Sequence, residues 1–300
     1  MNKVLVLIPC YNEEKNILRC LTNITTLNDK RIERILLIDD GSTDQTVKIA
    51  SKFKKVLIHK HSSNKGLGAA VRTGLNLAKN FKTDLVVKID ADCQHDPKDI
   101  SEIIKPITNE KYDLVYGNRK KKIKYKMPIL RRLGNICFSK LMKFLTGWQI
   151  EDSQPGIFAI RKICIKDLKI FGDYNYTQQV LLSSYYAGLK FKQIDVTFFK
   201  RFEGNSFVSL KYIYLALTQI LTLLIYFRPL KTFGKIGIFL LSLALLISII
   251  QFFNWMLGYS EKIIENVNLI IGLTIVGGQS LLAGLLGELI VNLNKDQNDK

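Results

Sequence analysis

Short apolar runs punctuate the first two hundred residues, each followed by a polar cluster and then a helical pattern. The runs predict strands over 3–8, 34–38, 56–59, 85–89, 114–116, 157–160 and 191–196. Between them, apolar positions at helical spacing predict helices over 13–25, 44–53, 67–81, 97–107, 129–145 and 177–187. Short strands rich in Val, Ile and Leu, flanked by helices, imply an α/β fold: a largely parallel sheet covered on both faces. Ligands of such sheets sit beyond the carboxyl ends of the strands. The polar clusters fall there: "PCYNEE", "DDGSTD", "HSSNKG", "DADCQHD" and "GNRKKK" follow the first five strands in turn.

After residue 205 the pattern changes. Residues 236–257 carry no charge and would extend about 33 Å as a helix, enough for a hydrocarbon core of about 30 Å. Residues 267–287 are also uncharged. The stretch 212–227 is apolar but short and interrupted by Thr218, Gln219 and Thr222, so it is expected to lie in the interface. The expected organisation is a domain over 1–205, amphipathic interface helices over 206–232, two transmembrane helices within 233–293 (about 236–257 and 267–287), and a tail over 294–300. Arg228, Lys231 and Lys235 precede the first span, which predicts a cytoplasmic-membrane protein with its first domain and tail in the cytoplasm. The apolar run before Cys10 is too short for a secretory leader and reads as a buried first strand.

Charge narrows the partners. Forty-four Lys and Arg against 26 acids give a formal charge of +18, which calls for an anionic partner. Neither zinc-finger spacing nor an RNP-type aromatic motif is present, so nucleic acid is not expected. The five cysteines form no C-x-x-C pair and read as reduced thiols.

The stretch "VVKIDADCQHDP" ends an apolar run on acids. Asp90 and Asp92, two positions apart, point to one side and can approach one hard cation, Mg²⁺ or Mn²⁺, bridging a diphosphate. Asp96-Pro97 reads as a helix start with Asp96 as the cap, and His95 is set aside as a ligand. In "LLIDDGSTDQT" an acid at a strand end suits a ribose hydroxyl or a base edge. Pro9, Tyr11 and Glu13 stand at the end of the first strand, where Asn12 is expected to cap the next helix. The absence of G-x-G-x-x-G there argues against a dinucleotide site. Residues 117–143 hold ten Lys or Arg and no acid. That run suits an anionic membrane surface, and Arg119 with Arg131 or Arg132 suits a phosphate.

Together "IPCYNEEKNI", "DDGSTDQT", "NKGLGAAVRTG", "DADCQHDP", "LVYGNR", "DSQPGIFAIRK", the R-x-x-G-x-S of 201–206, "FRPLKTFG" and "GLLGE" resemble inverting glycosyltransferases of family 2, with a GT-A fold. The group most similar is the polyprenyl-phosphate glycosyltransferases, such as dolichol-phosphate mannose synthases and bacterial undecaprenyl-phosphate glucosyltransferases. The resemblance implies a nucleotide sugar held by Pro9, Tyr11, Glu13, Asp39, Asp90, Arg201 and Ser206, with Lys65 and Arg72 as further candidates. It implies a divalent metal on Asp90, Asp92 and Gln94, with Asp92 also counted as catalytic. Arg119, Arg131 and Arg132 would hold the acceptor phosphate of a polyprenyl lipid. The sequence departs from many relatives at Pro155, Gln178, Gln179 and Phe207, and lacks the Q-x-x-R-W of processive synthases. A homo-oligomer stays open. So do transfer to a glycolipid hydroxyl, with Asp152 as base, and a non-catalytic nucleotide-sugar scaffold.

Overall fold

The computed structural model describes residues 2–27, 29–125, 129–201 and 210–298. Two compact units divide the chain, Met1–Ile220 and Leu221–Lys300. In the first, seven strands form one sheet: β1 (Val4–Cys10), β2 (Ile32–Asp39), β3 (Val56–Lys60), β4 (Leu85–Lys88), β5 (Leu114–Asn118), β6 (Phe158–Arg161) and β7 (Phe191–Asp195). Their order across the sheet is β3-β2-β1-β4-β6-β5-β7. Only β6 runs against its neighbours; every other pairing is parallel. All seven residues of β1 are buried, as a strand covered on both faces requires.

The α-helices lying wholly within this unit, among the described residues, are α1 (Glu14–Thr25), α2 (Thr46–Ala50), α3 (Leu67–Ala78), α4 (Asp99–Asn109), α5 (Ile129–Thr146) and α6 (Thr177–Tyr186). Alternation along the strands sends Val4, Val6 and Ile8, with Leu85 and Val87, into a core with Ile17 and Leu21 of α1 and Ile100, Ile103 and Ile107 of α4. On the other face α3 lies close, because Gly74 leaves its space to Leu7 and Ile38. Every expected strand and helix has its counterpart. The start of α4 differs: it begins at Asp99, and Asp96 accepts from the Lys98 N–H at 3.0 Å in the turn before it.

A seventh helix, α7 (Leu210–Phe227), runs from the first unit into the second. Gln219 in its first part accepts a hydrogen bond from the Gln179 amide of α6 at 3.1 Å. The expected boundary at 205/206 falls outside the described residues.

The second unit holds α8 (Pro229–Met256) and α9 (Val267–Asn298). Both are long and apolar enough to cross a membrane, and only 17% and 11% of their most apolar windows are buried. A soluble core helix would hide that surface; these turn it outward, which marks a membrane protein. Helix α8 starts earlier than the sequence suggests, because Pro229 opens it and takes Lys231 and Lys235 into its first turns. Helix α9 continues through Asn298 where a tail was expected. Small residues set the approach of the two. A Cβ on Gly237 would stand 2.7 Å from the Gly277 carbonyl, and one on Gly287 would stand 2.7 Å from Pro229 Cβ. Glu288 accepts from the Leu230 N–H at 3.3 Å, satisfying a free donor at the start of α8. "FRPLKTFG" and "GLLGE" are therefore two halves of one helix contact.

Two stability predictions follow from burial. Replacing Gly237 by Leu should cost on the order of 1–3 kcal/mol by forcing the helices apart, read as a lower midpoint in detergent-titration unfolding of full-length protein. Burial pushes the Asp99 carboxyl up to about 6, although its Oδ2 accepts from the Thr197 N–H. A raised carboxyl favours the protonated folded state, so its contribution is lost as pH rises through about 6. Asp99→Asn should therefore melt higher than the parent at pH 7.5, with the gap closing by about pH 4.

Candidate functional site

The first two loops at the carboxyl edge are stitched together. The Asn12 N–H donates to Ser42 Oγ at 2.9 Å, Asn12 Oδ1 accepts from the Thr43 N–H at 2.9 Å, and the Glu13 N–H donates to Thr46 Oγ1 at 2.8 Å. The Glu14 N–H meets Asp44, and the Gln45 N–H meets Glu14, both at 3.1 Å. Asn12 is thus not the helix cap that its position suggested. It takes a left-handed conformation, φ 51°, and holds the neighbouring loop instead. The loops are braced before any ligand arrives.

The two acids ending β2 divide their work. Asp40 is buried and accepts from the Lys65 and Gly66 N–H groups at 3.0 and 2.7 Å, and contacts His61 Nδ1 at 2.7 Å. It anchors the third loop. The Asp39 carboxylate, also buried, accepts only from the Ser42 N–H, at 3.2–3.3 Å, among the described residues. That leaves Asp39 the acid with capacity for a ligand. The Lys65 side chain is exposed; its backbone is what Asp40 holds. The Arg72 guanidinium donates to the carbonyls of Ile170 and Gly172 at 3.3 and 2.6 Å and to Asp173 at 2.7 Å, so these donors brace the 170–173 turn.

After β4 the chain turns through Asp90, Ala91, Asp92 and Cys93, the last at φ 57°. Asp90 meets Lys88, a lysine with no solvent exposure. Asp92 Oδ1 accepts from the Gln94 N–H at 3.1 Å. Burial, then the charge of Asp90, pushes the Asp92 carboxyl up to about 7. Gln94 is buried and its Nε2 donates to the Phe199 carbonyl at 3.1 Å. His95 is buried beside the Phe198 ring, centroids 5.0 Å apart, with both ring nitrogens unpartnered among the described residues. Burial lowers its pKa to about 3, so it is neutral.

A distant segment completes the rim. Residues 197–201 run between the fourth and fifth loops. Phe199 N–H donates to Gln94 O at 2.8 Å, Phe198 N–H to Lys122 O at 3.2 Å, and Lys124 N–H to Phe198 O at 2.8 Å. This path brings the Arg201 guanidinium to Glu13, whose other oxygen accepts from Asn16 at 2.6 Å. Burial raises the Glu13 pKa, with Asn16 and Arg201 acting against it and Asp90 adding to it. Asp92 feels Asp90, Arg201 and Glu13 in turn. The structure thus brings Glu13, Asp90, Asp92 and Arg201 together. Tyr11 is half exposed beside them, and Pro9 is buried in β1.

Next to this cluster Arg119 is buried against Asp152. Its Nε and Nη2 donate to the two carboxylate oxygens at 2.7 and 2.9 Å, and its guanidinium lies 4.9 Å from the Phe198 ring centre. Asn135 of α5 donates to Asp152 at 2.8 Å. Burial opposes the Asp152 charge, yet Arg119 and these hydrogen bonds hold its carboxyl well below the usual range. An acid so bound is a poor proton acceptor, and the base reading of Asp152 has no support in the geometry. Arg119 is held from behind, with Nη1 outside that pair. Arg132 is exposed on α5. The Arg131 side chain and Ser206 lie outside the described residues.

Asp90 and Asp92 fit a divalent cation as hard oxygen donors on one turn. Gly156 lets Asp90 and His95 pack against its backbone: a Cβ there would collide with Asp90 Oδ2 and His95 Nε2. No cluster of three or more His, Cys, Asp or Glu donors exists among the described residues, so such an ion needs ligand oxygens from elsewhere. Reading the sequence alone missed Lys88, although a lysine inside an apolar run was a visible signal. It also missed Asn135, which no local pattern marks.

Known proteins fit this arrangement. The model of the glycosyl transferase family 2 matches residues 5–168. A UDP-N-acetylglucosamine–dolichyl-phosphate N-acetylglucosaminyltransferase from Methanococcus voltae is 36% identical over 183 residues, covering 55% of this chain and 72% of that one. A dodecaprenyl-phosphate galacturonate synthase from Rhizobium johnstonii is 25% identical, covering 95% and 86%. Among solved structures, glucosyl-3-phosphoglycerate synthase from Mycobacterium tuberculosis, in complex with Mn²⁺, uridine diphosphate and glucosyl-3-phosphoglycerate, aligns with a TM-score of 0.59 at 20% identity, covering 75% and 79%. That last likeness is one of fold, GT-A. With more than half its length matched by the family model, the chain belongs to glycosyl transferase family 2 and is a glycosyltransferase.

Proposed function

We propose that the protein transfers a sugar from a UDP- or GDP-sugar to a polyprenyl phosphate, undecaprenyl or dolichyl, giving a polyprenyl-phosphate monosaccharide. The observation that carries this is the convergence of Glu13, Asp90, Asp92 and Arg201 beside a buried Arg119–Asp152 pair, in a chain with two membrane-capable helices. The names of the relatives from Methanococcus voltae and Rhizobium johnstonii support the acceptor class.

Asp39 would take a nucleotide hydroxyl or base edge, with Pro9 and Tyr11 lining the same edge. Asp90 and Asp92, with Gln94 beside them, would hold Mg²⁺ or Mn²⁺, as the Mn²⁺-bound fold relative suggests. Bound there, the ion would neutralise charge developing on the diphosphate leaving group. Arg201 would steady that diphosphate, and Arg119, with Arg131 or Arg132, would orient the lipid phosphate. The acceptor oxygen is already anionic near neutral pH, so no strong base is needed. What the residues supply is orientation and charge balance between two anions. In-line attack then inverts the anomeric centre.

Helix α5 fits an anionic bilayer surface. It exposes Ile129, Leu133 and Phe144 alongside Arg132, Lys140 and Lys143. The proposed membrane is the cytoplasmic one, with the transferase domain on its cytoplasmic face.

The reading is tested with a panel of labelled sugar nucleotides and undecaprenyl or dolichyl phosphate, scored by labelled lipid product. One donor should yield product, and none should yield it after EDTA until Mg²⁺ or Mn²⁺ is restored; turnover in EDTA would refute the metal role. Asp92→Asn should lower transfer by about a hundredfold or more with a melting midpoint no lower than the parent's. Arg119→Lys retains the charge facing Asp152 but loses the two-pronged contact. It should raise the KM for lipid phosphate about tenfold and leave the donor KM unchanged.

A further inference from the structure

A lysine at the end of a fully buried strand is costly unless each of its donors is met. Lys88 closes β4, and its side chain is wholly shielded from solvent. Alternation puts it on the same side of the chain as Asp90. Its ammonium donates to Asp90 Oδ1, to the Gly156 carbonyl at 3.1 Å and to the Tyr176 hydroxyl. Three N–H groups thus have three acceptors, and each acceptor comes from a different segment. Tyr176, itself 4% exposed, also sets its ring centre 4.7 Å from the ammonium.

Replacing both members of such a buried pair by apolar groups often gains stability, so stability alone does not account for a lysine here. The pair is better explained by what it does to Asp90. Oδ1 is turned inward, and Oδ2, which meets no donor among the described residues, packs over the bare Cα of Gly156 in a side chain that stays 28% exposed. We infer that Lys88, braced by Tyr176, is a positioning residue of the transfer site: it locks the rotamer of Asp90 so that Oδ2 alone faces the divalent cation and the nucleotide diphosphate. This rests on the reading of Asp90 as part of that site.

The test uses full-length protein in nanodiscs, with Mn²⁺ binding followed by the loss of the free-ion electron paramagnetic resonance signal in the presence of UDP or GDP. Lys88→Met should weaken Mn²⁺ binding about tenfold or more, Tyr176→Phe by a smaller factor, and Lys88→Arg should recover part of the loss by keeping a cation. A purely structural lysine would lower the melting midpoint and leave the Mn²⁺ affinity of the folded fraction alone. Folded Lys88→Met with an affinity within twofold of the parent overturns the inference. Should that variant fail to fold, Tyr176→Phe decides: an unchanged affinity overturns the inference, and a weakened one supports it. If the parent itself takes up no Mn²⁺ with either nucleotide, the reading of the site fails instead, and parent and variants then fail alike.

Discussion

Carboxylates gathered at the mouth of a buried sheet repel one another and lose their hydration, so each must be matched by a donor. In this protein the matches are individual. Asp39 has one loop amide, Asp40 two amides and a histidine, Asp90 a lysine, Asp92 an amide, Asp152 an arginine and Glu13 an arginine. The sheet topology makes the matching possible. Parallel strands deliver the loops after β1, β2 and β4 to one edge, and the antiparallel β6 begins at that edge, so the 152–156 loop leading into it lies there too.

Matching also separates acids that anchor from acids that stay available. Asp40 and Asp152 are surrounded by donors and fix backbone or a neighbouring side chain. Asp39 and Asp92 each have little beyond one backbone amide. A site assembled this way is electrostatically prepared before a ligand enters, because its charged groups need little reorganisation.

How much of this was legible in the sequence follows from the range of each interaction. The strands and helices were, since their periodicities are local, and so was the Asp90–Asp92 turn. The roles of side chains with distant partners were not. The partners of Arg72 in the 170–173 turn lie a hundred residues away, and nothing near it in sequence reveals them. Asp152 looked like a free base because Arg119 is 33 residues upstream. Asn12 had the right identity for a helix cap, yet its tertiary partner Thr43 outcompeted the local one. Glu13 and Arg201 were each singled out as ligand contacts, but only the fold makes them a pair, 188 residues apart. In the hairpin the glycines were visible, while the pairing of Gly237 with Gly277 and of Gly287 with Pro229 required the helices to be seen together.

The contact between the start of α3 and the 172–174 turn carries an evolutionary consequence. Arg72 reads carbonyls at positions 170 and 172, and a carbonyl is the same whatever side chain it bears. The contact with Arg72 therefore places no demand on the side chain at position 170. Gly68 is different, because its amide donates to the Asp173 carbonyl at 2.6 Å and a Cβ would stand 2.8 Å from the same peptide. Two main chains touch there without a side chain between them, so one contact reads only backbone at its partner while the other holds its own position to glycine.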